Sequence, residues 1–217
     1  MAAKNVLIVF AHQDPYKSFN GALKDEAVKI LQEGGHKVEV SDLYDQKWDP
    51  RATKNDFTGS PQNEESFSYV VEQAHAAAQG KLTEDIVSEQ EKLKTADLVI
   101  FQFPMYWFSV PAILKGWFDK VFAGGVTHAY PANVYENGFM KGKKALLSFT
   151  TGGPQSMYTS EALNVYLRAR RLSYKLLIQG YVCDRLTSSL RKFYGRYGEL
   201  VIHYDVPLSR MVDDILS

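Results

Sequence analysis

Short, unbroken apolar runs that alternate with helix-spaced segments constrain this chain more than any other feature. Val6 to Phe10 and Leu98 to Phe101 are such runs, the pattern of strands buried on both faces of a parallel sheet, and Ala145 to Phe149 reads as a further strand. After the first run, Ser18 can cap a helix whose apolar positions Phe19, Leu23, Ala27, Ile30 and Leu31 keep helical spacing until Gly34 and Gly35 stop it. Lys37 to Tyr44 alternates through Val38 and Val40 as a second strand. The polar stretch from Asp45 to Gln62, with Pro50, Gly59 and Pro61, then reads as a long excursion of the kind that often covers a site. Glu64 to Gln79 and Thr83 to Lys94 predict helices, and Pro111 suits the first turn of another that runs to about Phe122. Strands alternating with helices predict an α/β fold: a doubly wound parallel sheet with helices on both faces, in three layers. In such sheets ligands sit beyond the carboxyl ends of the strands.

Composition removes several function classes. The 217 residues carry 25 basic and 25 acidic side chains, without the basic excess that a nucleic-acid or acidic-membrane binder uses to displace counterions. The lone Cys183 provides neither an internal disulfide nor a multi-cysteine zinc site, and no metal site is expected. Met1 to Asn5 leads into a strand without a secretory leader, so the cytosol is the expected compartment. The apolar stretch from Ala96 to Phe118 is broken by Asp97, Gln102, Pro104, Pro111 and Lys115, which excludes a membrane span. There is no G-x-S-x-G, H-E-x-x-H, Walker A or paired-cysteine motif, and no G-x-G-x-x-G. Cofactor chemistry, with a cofactor held in some other way, is what these absences leave.

Three loops follow strand carboxyl ends: His12 to Asn20, Pro104 to Ser109, and Thr150 to Tyr158. The first enters a helix at Ser18-Phe19-Asn20, where unpaired amides could hold a phosphate, or where Ser18 is an ordinary N-cap. His12 could touch a diphosphate or serve structurally. In the second loop, Met105 with Tyr106, Trp107 and Phe108 could pack on a planar heterocycle such as isoalloxazine, with core packing as the alternative. Three consecutive aromatics cannot all face one core from a short loop, so at least one borders a cavity or a partner chain. The third loop offers the Thr150 and Thr151 hydroxyls and two glycines, Gly152 and Gly153, whose amides could approach a ligand, or it is a plain turn. Tyr158 is a further donor. Facing the aromatics, this loop could hydrogen-bond a flavin's pyrimidine edge and stabilise charge that builds there.

The segments VLIVFAH with Ser18-Phe19-Asn20, Ser41 to Tyr44, ADLVIFQFPMYWFSVPAILKGWFDKVF from Ala96, and SFTTGGPQSMY from Ser148 resemble the animal NAD(P)H quinone reductases of types 1 and 2. The match runs from about Lys4 to about Asn164. It implies a flavodoxin-like cytosolic homodimer that binds FAD at its interface and detoxifies quinones by two-electron reduction, with hydride passing from NADH or NADPH through flavin N5 in a ping-pong cycle. By position, the family's FAD contacts fall on His12, Phe19, Asn20, Met105, Tyr106, Trp107, Phe108, Thr150, Thr151, Gly152, Gly153 and Tyr158, with Ser18 beside them. Catalytic roles fall on Gly152, Gly153, Tyr158 and Asn164, and substrate contacts on His128, Ala129 and Tyr130. Asn164 stands where type 1 has histidine and type 2 asparagine, and an amide hydrogen-bonds but does not relay a proton as imidazole does. Tyr106 and Ser109 lean to type 2; Trp117-Phe118 and Val121-Phe122 lean to type 1.

After Asn164 the resemblance stops. Residues 1–164 are expected to form the flavin-binding domain and 165–217 a divergent segment that completes the sheet, with Leu176 to Ile178 and Leu200 to Ile202 as strands. From Val165 onward nine basic residues face five acidic ones; Arg168, Arg170, Arg171 and Lys175 could contact an adenosine phosphate or form a solvated helix face. Two other readings stay open: a catalytically impaired member that pairs with a normal subunit, and an FMN electron carrier.

Overall fold

The structure is a computed structural model that describes residues 2–63, 65–107, 109–129, 137–152, 193–194 and 200–201. Within it run β1 (Asn5–Phe10), α1 (Phe19–Glu33), β2 (Lys37–Asp42), a 3-10 turn at Lys54–Asp56, α2 (Tyr69–Ala78), α3 (Glu84–Thr95), β3 (Leu98–Pro104), α4 (Ala112–Val121), β4 (Lys144–Thr151), β5 (Phe193–Tyr194) and β6 (Leu200–Val201). The sheet order is β2-β1-β3-β4-β6-β5. The first four strands pair in parallel, whereas β6 runs antiparallel to β4, with Thr150 opposite Val201 and Thr151 opposite Leu200. The expected strand at Leu200 thus joins the sheet, in the opposite sense to its neighbour; the one expected at Leu176 to Ile178 lies outside the described residues.

Two apolar layers explain the hydrophobic runs Val6 to Phe10 in β1 and Leu98 to Phe101 in β3. Val6, Ile8, Leu98, Ile100 and Leu146 pack with Ala27 and Leu31 of α1 on one face. Leu7, Val9, Val99 and Phe101 pack with Ile86 and Leu93 of α3 and Leu114 and Trp117 of α4 on the other. Every residue of β3 is buried, as a central parallel strand covered on both faces requires. The helix expected from Glu64 starts at Tyr69. Ahead of it the Asn63 side chain accepts from the Glu65 and Ser66 amides, and the Glu72 carboxylate takes the amides of Gln62 and Asn63. Those bonds give the backbone an alternative to a helical ladder.

The excursion after β2 covers helices, and a buried ion pair pins it there. Asp56 accepts from Lys120 Nζ at 2.8 Å through Oδ1, and from the Thr53 amide and the Tyr69 hydroxyl through Oδ2. The Lys120 ammonium lies 5.5 Å from the centre of the Trp48 ring. Burial, and then the Asp56 carboxylate, push the Tyr69 phenol far above its usual range. Gln73 donates to the carbonyls of Asp119 and Lys120. A Cβ at Gly116 would meet the Pro50 carbonyl oxygen at 2.2 Å, so the excursion lies directly on α4. A second buried carboxylate, Glu89, takes Ser41 Oγ, Lys92 Nζ and the Trp117 indole N–H, and fastens α3 to both β2 and α4. Among the described residues no helix is long and apolar enough to cross a membrane.

Removing one member of the Asp56–Lys120 pair strands the other charge. Asp56→Ala is expected to cost about 3–5 kcal/mol of unfolding free energy in denaturant titration, whereas Asp56→Asn combined with Lys120→Met recovers most of that loss.

Candidate cofactor site

Parallel register sends the loops after β3 and β4 out at the same edge, because Pro104 is the partner of Thr150. The Met105 amide donates to the Thr150 carbonyl at 2.8 Å. A buried row of side chains adds the loop after β1: Gln102 Nε2 donates to Asn20 Oδ1 at 2.8 Å, and Asn20 Nδ2 donates to Thr150 Oγ1 at 2.8 Å. Gln102, Asn20 and Thr150 are 2%, 2% and 3% exposed. Buried amides need partners, so this row fixes the start of α1 against the ends of β3 and β4.

The first loop is built around Asp14. Its Oδ1 accepts from the amides of Tyr16 and Lys17, its amide donates to His12 Nδ1, and its carbonyl accepts from Ser18 Oγ. The Lys17 amide chiefly holds the Asp14 carboxyl below its ordinary value. Ser18 caps α1 by accepting from the Gly21 amide. A Cβ at Gly21 would stand 2.1 Å from the Pro15 carbonyl oxygen, and only glycine admits that approach. The helix start is therefore an ordinary N-cap, and among the described residues no hydrogen bond engages the Phe19 and Asn20 amides. His12 Nδ1 lies 3.0 Å from both the amide nitrogen and the carbonyl oxygen of Asp14.

The second loop folds back on itself through paired bonds between Tyr106 and Ser109. Trp107 at its tip has φ +49° and is 93% exposed. Left-handed backbone is strained for a bulky side chain, and it turns the indole away from the core. Trp107 thus lies outside the interior, whereas Phe103 stacks on Phe149 within it. The Tyr106 hydroxyl pairs with the Gln13 amide, linking the first two loops. Burial, with a smaller contribution from Tyr106, raises the Tyr44 phenol. In the third loop the Thr150 and Thr151 side chains are buried, and no described atom lies within 4 Å of a Cβ built on Gly152.

These residues suit a flat, phosphorylated group. There are exposed aromatic faces at Phe19 and Trp107 and, among the described residues, no atom over Gly152 and no partner for the first amides of α1. Phe108, Tyr130, Gly153, Tyr158 and Asn164 lie outside the described residues. His128 and Ala129 lie in the stretch after α4, where a Cβ built on Gly124 would meet the Ala74 methyl of α2 at 3.2 Å. The His128 ring meets Thr127 Oγ1 at 3.0 Å.

Sequence reasoning missed Gln13, Asp14 and Gln102. Gln102 carried a legible signal, a polar side chain inside a strand buried on both faces, which must find a partner. Gln13 and Asp14 carried none, since polar residues are ordinary in a loop.

The Flavodoxin-like fold family matches residues 4–174. Ribosyldihydronicotinamide dehydrogenase (quinone) of Mus musculus is 56% identical over 164 residues, which make up 76% of this chain and 70% of that protein. NAD(P)H dehydrogenase (quinone) 1 of Rattus norvegicus is 49% identical over 164 residues, 76% of this chain and 59% of that protein. The crystal structure of a candidate quinone reductase from Klebsiella pneumoniae superposes with a TM-score of 0.76 at 38% identity, covering 82% of this chain and 72% of that one.

Because its folded-state value is depressed below the ordinary 3.8, the Asp14 turn is fully formed above that pH and is lost as pH falls through the lower value. The Lys17 amide proton shift is expected to titrate below pH 3.8 by NMR and to stay flat in Asp14→Asn.

Proposed function

This chain belongs to the flavodoxin-like fold family, alongside its quinone dehydrogenases, and from that premise we propose that it binds FAD at the carboxyl edge of the sheet and reduces quinones with a reduced nicotinamide. The convergence of three loops on one edge, with Trp107 presented outward and no described atom over Gly152, carries this reading. Flavin, when bound, supplies a ring that takes two electrons from the nicotinamide and gives them to the quinone after the first product has left. Trp107 and Phe19 supply apolar faces for that ring. The Thr150, Thr151, Gly152, Gly153 and Tyr158 positions supply donors for its polar edge, and Asn164 supplies an amide. The Phe19 and Asn20 amides, with the His12 ring beside them, supply donors for phosphate oxygens. FAD in place of FMN is supported by the resemblance of all three loops to the FAD-dependent quinone reductases.

The homodimer is part of the proposal. It is supported by the resemblance to quinone reductases that hold their flavin at a dimer interface. An indole as exposed as Trp107 is suited to an interface with cofactor or partner. The cytosol remains the proposed compartment.

Purified protein reconstituted with FAD is expected to show a flavin absorption spectrum, to bleach anaerobically with a reduced nicotinamide, and to recover with menadione. Trp107→Ala is expected to weaken flavin binding about tenfold, measured by fluorescence titration. Protein that retains no flavin after reconstitution would instead support the impaired, partner-binding reading, and FMN released from protein purified from its own source would support the electron carrier.

A further inference from the structure

We propose that Gln102, Asn20 and Thr150 form a directed hydrogen-bond relay that holds the Thr150 hydroxyl as a donor to the reduced cofactor, which makes Gln102 a positioning residue for the redox chemistry. The inference rests on the flavin reading above and goes further, because it assigns a direction to the bonds and a role to a residue buried within β3.

Each link is set by the one before it. Gln102 interrupts an otherwise apolar strand and is 2% exposed, so its amide must find protein partners. Its Nε2 donates to Asn20 Oδ1 at 2.8 Å. An amide has its acceptor at one end of a plane and its donors at the other. With Oδ1 engaged, Asn20 turns Nδ2 to Thr150 Oγ1, at 2.8 Å. A threonine hydroxyl carries a single hydrogen. Because Oγ1 accepts from Asn20, that hydrogen is left for an acceptor elsewhere, and none engages it among the described residues. In the reverse order, Thr150 would donate to Asn20 and have nothing to offer a ligand.

Position and burial make the direction matter. Thr150 sits where the second and third loops meet, opposite Pro104 in register, with its carbonyl taking the Met105 amide and Gly152 two residues on. A donor fixed in a water-poor site favours negative charge more than the same donor in water, and bonds in a row polarise one another. Negative charge collects on a flavin's pyrimidine edge when the ring is reduced. The relay therefore favours the reduced over the oxidised cofactor, and the bias begins at a side chain that need not touch the ring.

The test uses the full chain loaded with flavin and measures the midpoint potential by equilibration with reference dyes. Thr150→Val and Gln102→Leu are each expected to lower the affinity for reduced relative to oxidised flavin about tenfold, seen as a more negative potential. Thr150→Ser, which keeps the hydroxyl, holds the potential near that of the parent. The double variant moves no further than either single one, because both cut the same chain of bonds. A flavin-loaded Gln102→Leu protein with the parent's potential, or a double variant whose shift equals the sum of the two, overturns the relay. A second readout needs no variant: the Asn20 side-chain amide resonances of the unsubstituted holoprotein are expected to move on flavin reduction, and their indifference overturns the relay as well. Unsubstituted protein that takes up no flavin at all overturns the cofactor reading itself, an outcome distinct from a loaded protein whose potential ignores Gln102.

Discussion

A sheet covered by helices on both faces has only its edges and ends left for chemistry, and here a buried polar row decides what stands at one of those ends. Gln102, Asn20 and Thr150 come from β3, α1 and β4, and their amides and hydroxyl can satisfy one another only if those elements keep their register. Moving β4 by one residue would break the Met105–Thr150 backbone bond and turn each β4 side chain to the opposite core, against partners it does not fit. Apolar burial drives the sheet together. The polar row selects one alignment of its carboxyl edge, since a misaligned amide would be buried without a partner.

The same logic recurs on the helical layer. Asp56 and Lys120, and Glu89 with Lys92 and Trp117, are buried charges satisfied from several elements at once. Such groups add little net stability over well-packed apolar side chains, but they penalise every arrangement that separates them. The excursion after β2 is long and polar, yet it is held to α2 and α4 by these contacts and by the close approach of Pro50 to Gly116. Its length therefore serves packing. The one buried side-chain polar atom without a partner among the described residues is the indole nitrogen of Trp48, whose ring lies under the Lys120 ammonium.

The site combines rigid and strained parts. The first loop is tied down by Asp14, Ser18 and the absence of a Cβ at Gly21. The tip of the second holds Trp107 in left-handed backbone, a strain of order 1–3 kcal/mol that the Tyr106–Ser109 bonds offset.

Sequence alone determined the parallel sheet, because unbroken apolar runs suit only strands covered on both faces. It also marked the Ser18 cap and the helix opening after Pro111, since these follow from local rules of capping and backbone restriction. Tertiary structure decided the rest. A polar residue such as Gln102 announces a need for partners but not their identity, because the partners lie 82 and 130 positions apart along the relay's two bonds. The start of α2 was set by side chains of Asn63 and Glu72 competing for backbone amides, a contest that helical periodicity does not register. The location of the excursion depended on a carboxylate and an ammonium 64 residues apart. Local patterns fix which elements form; only the folded chain fixes which buried polar groups meet.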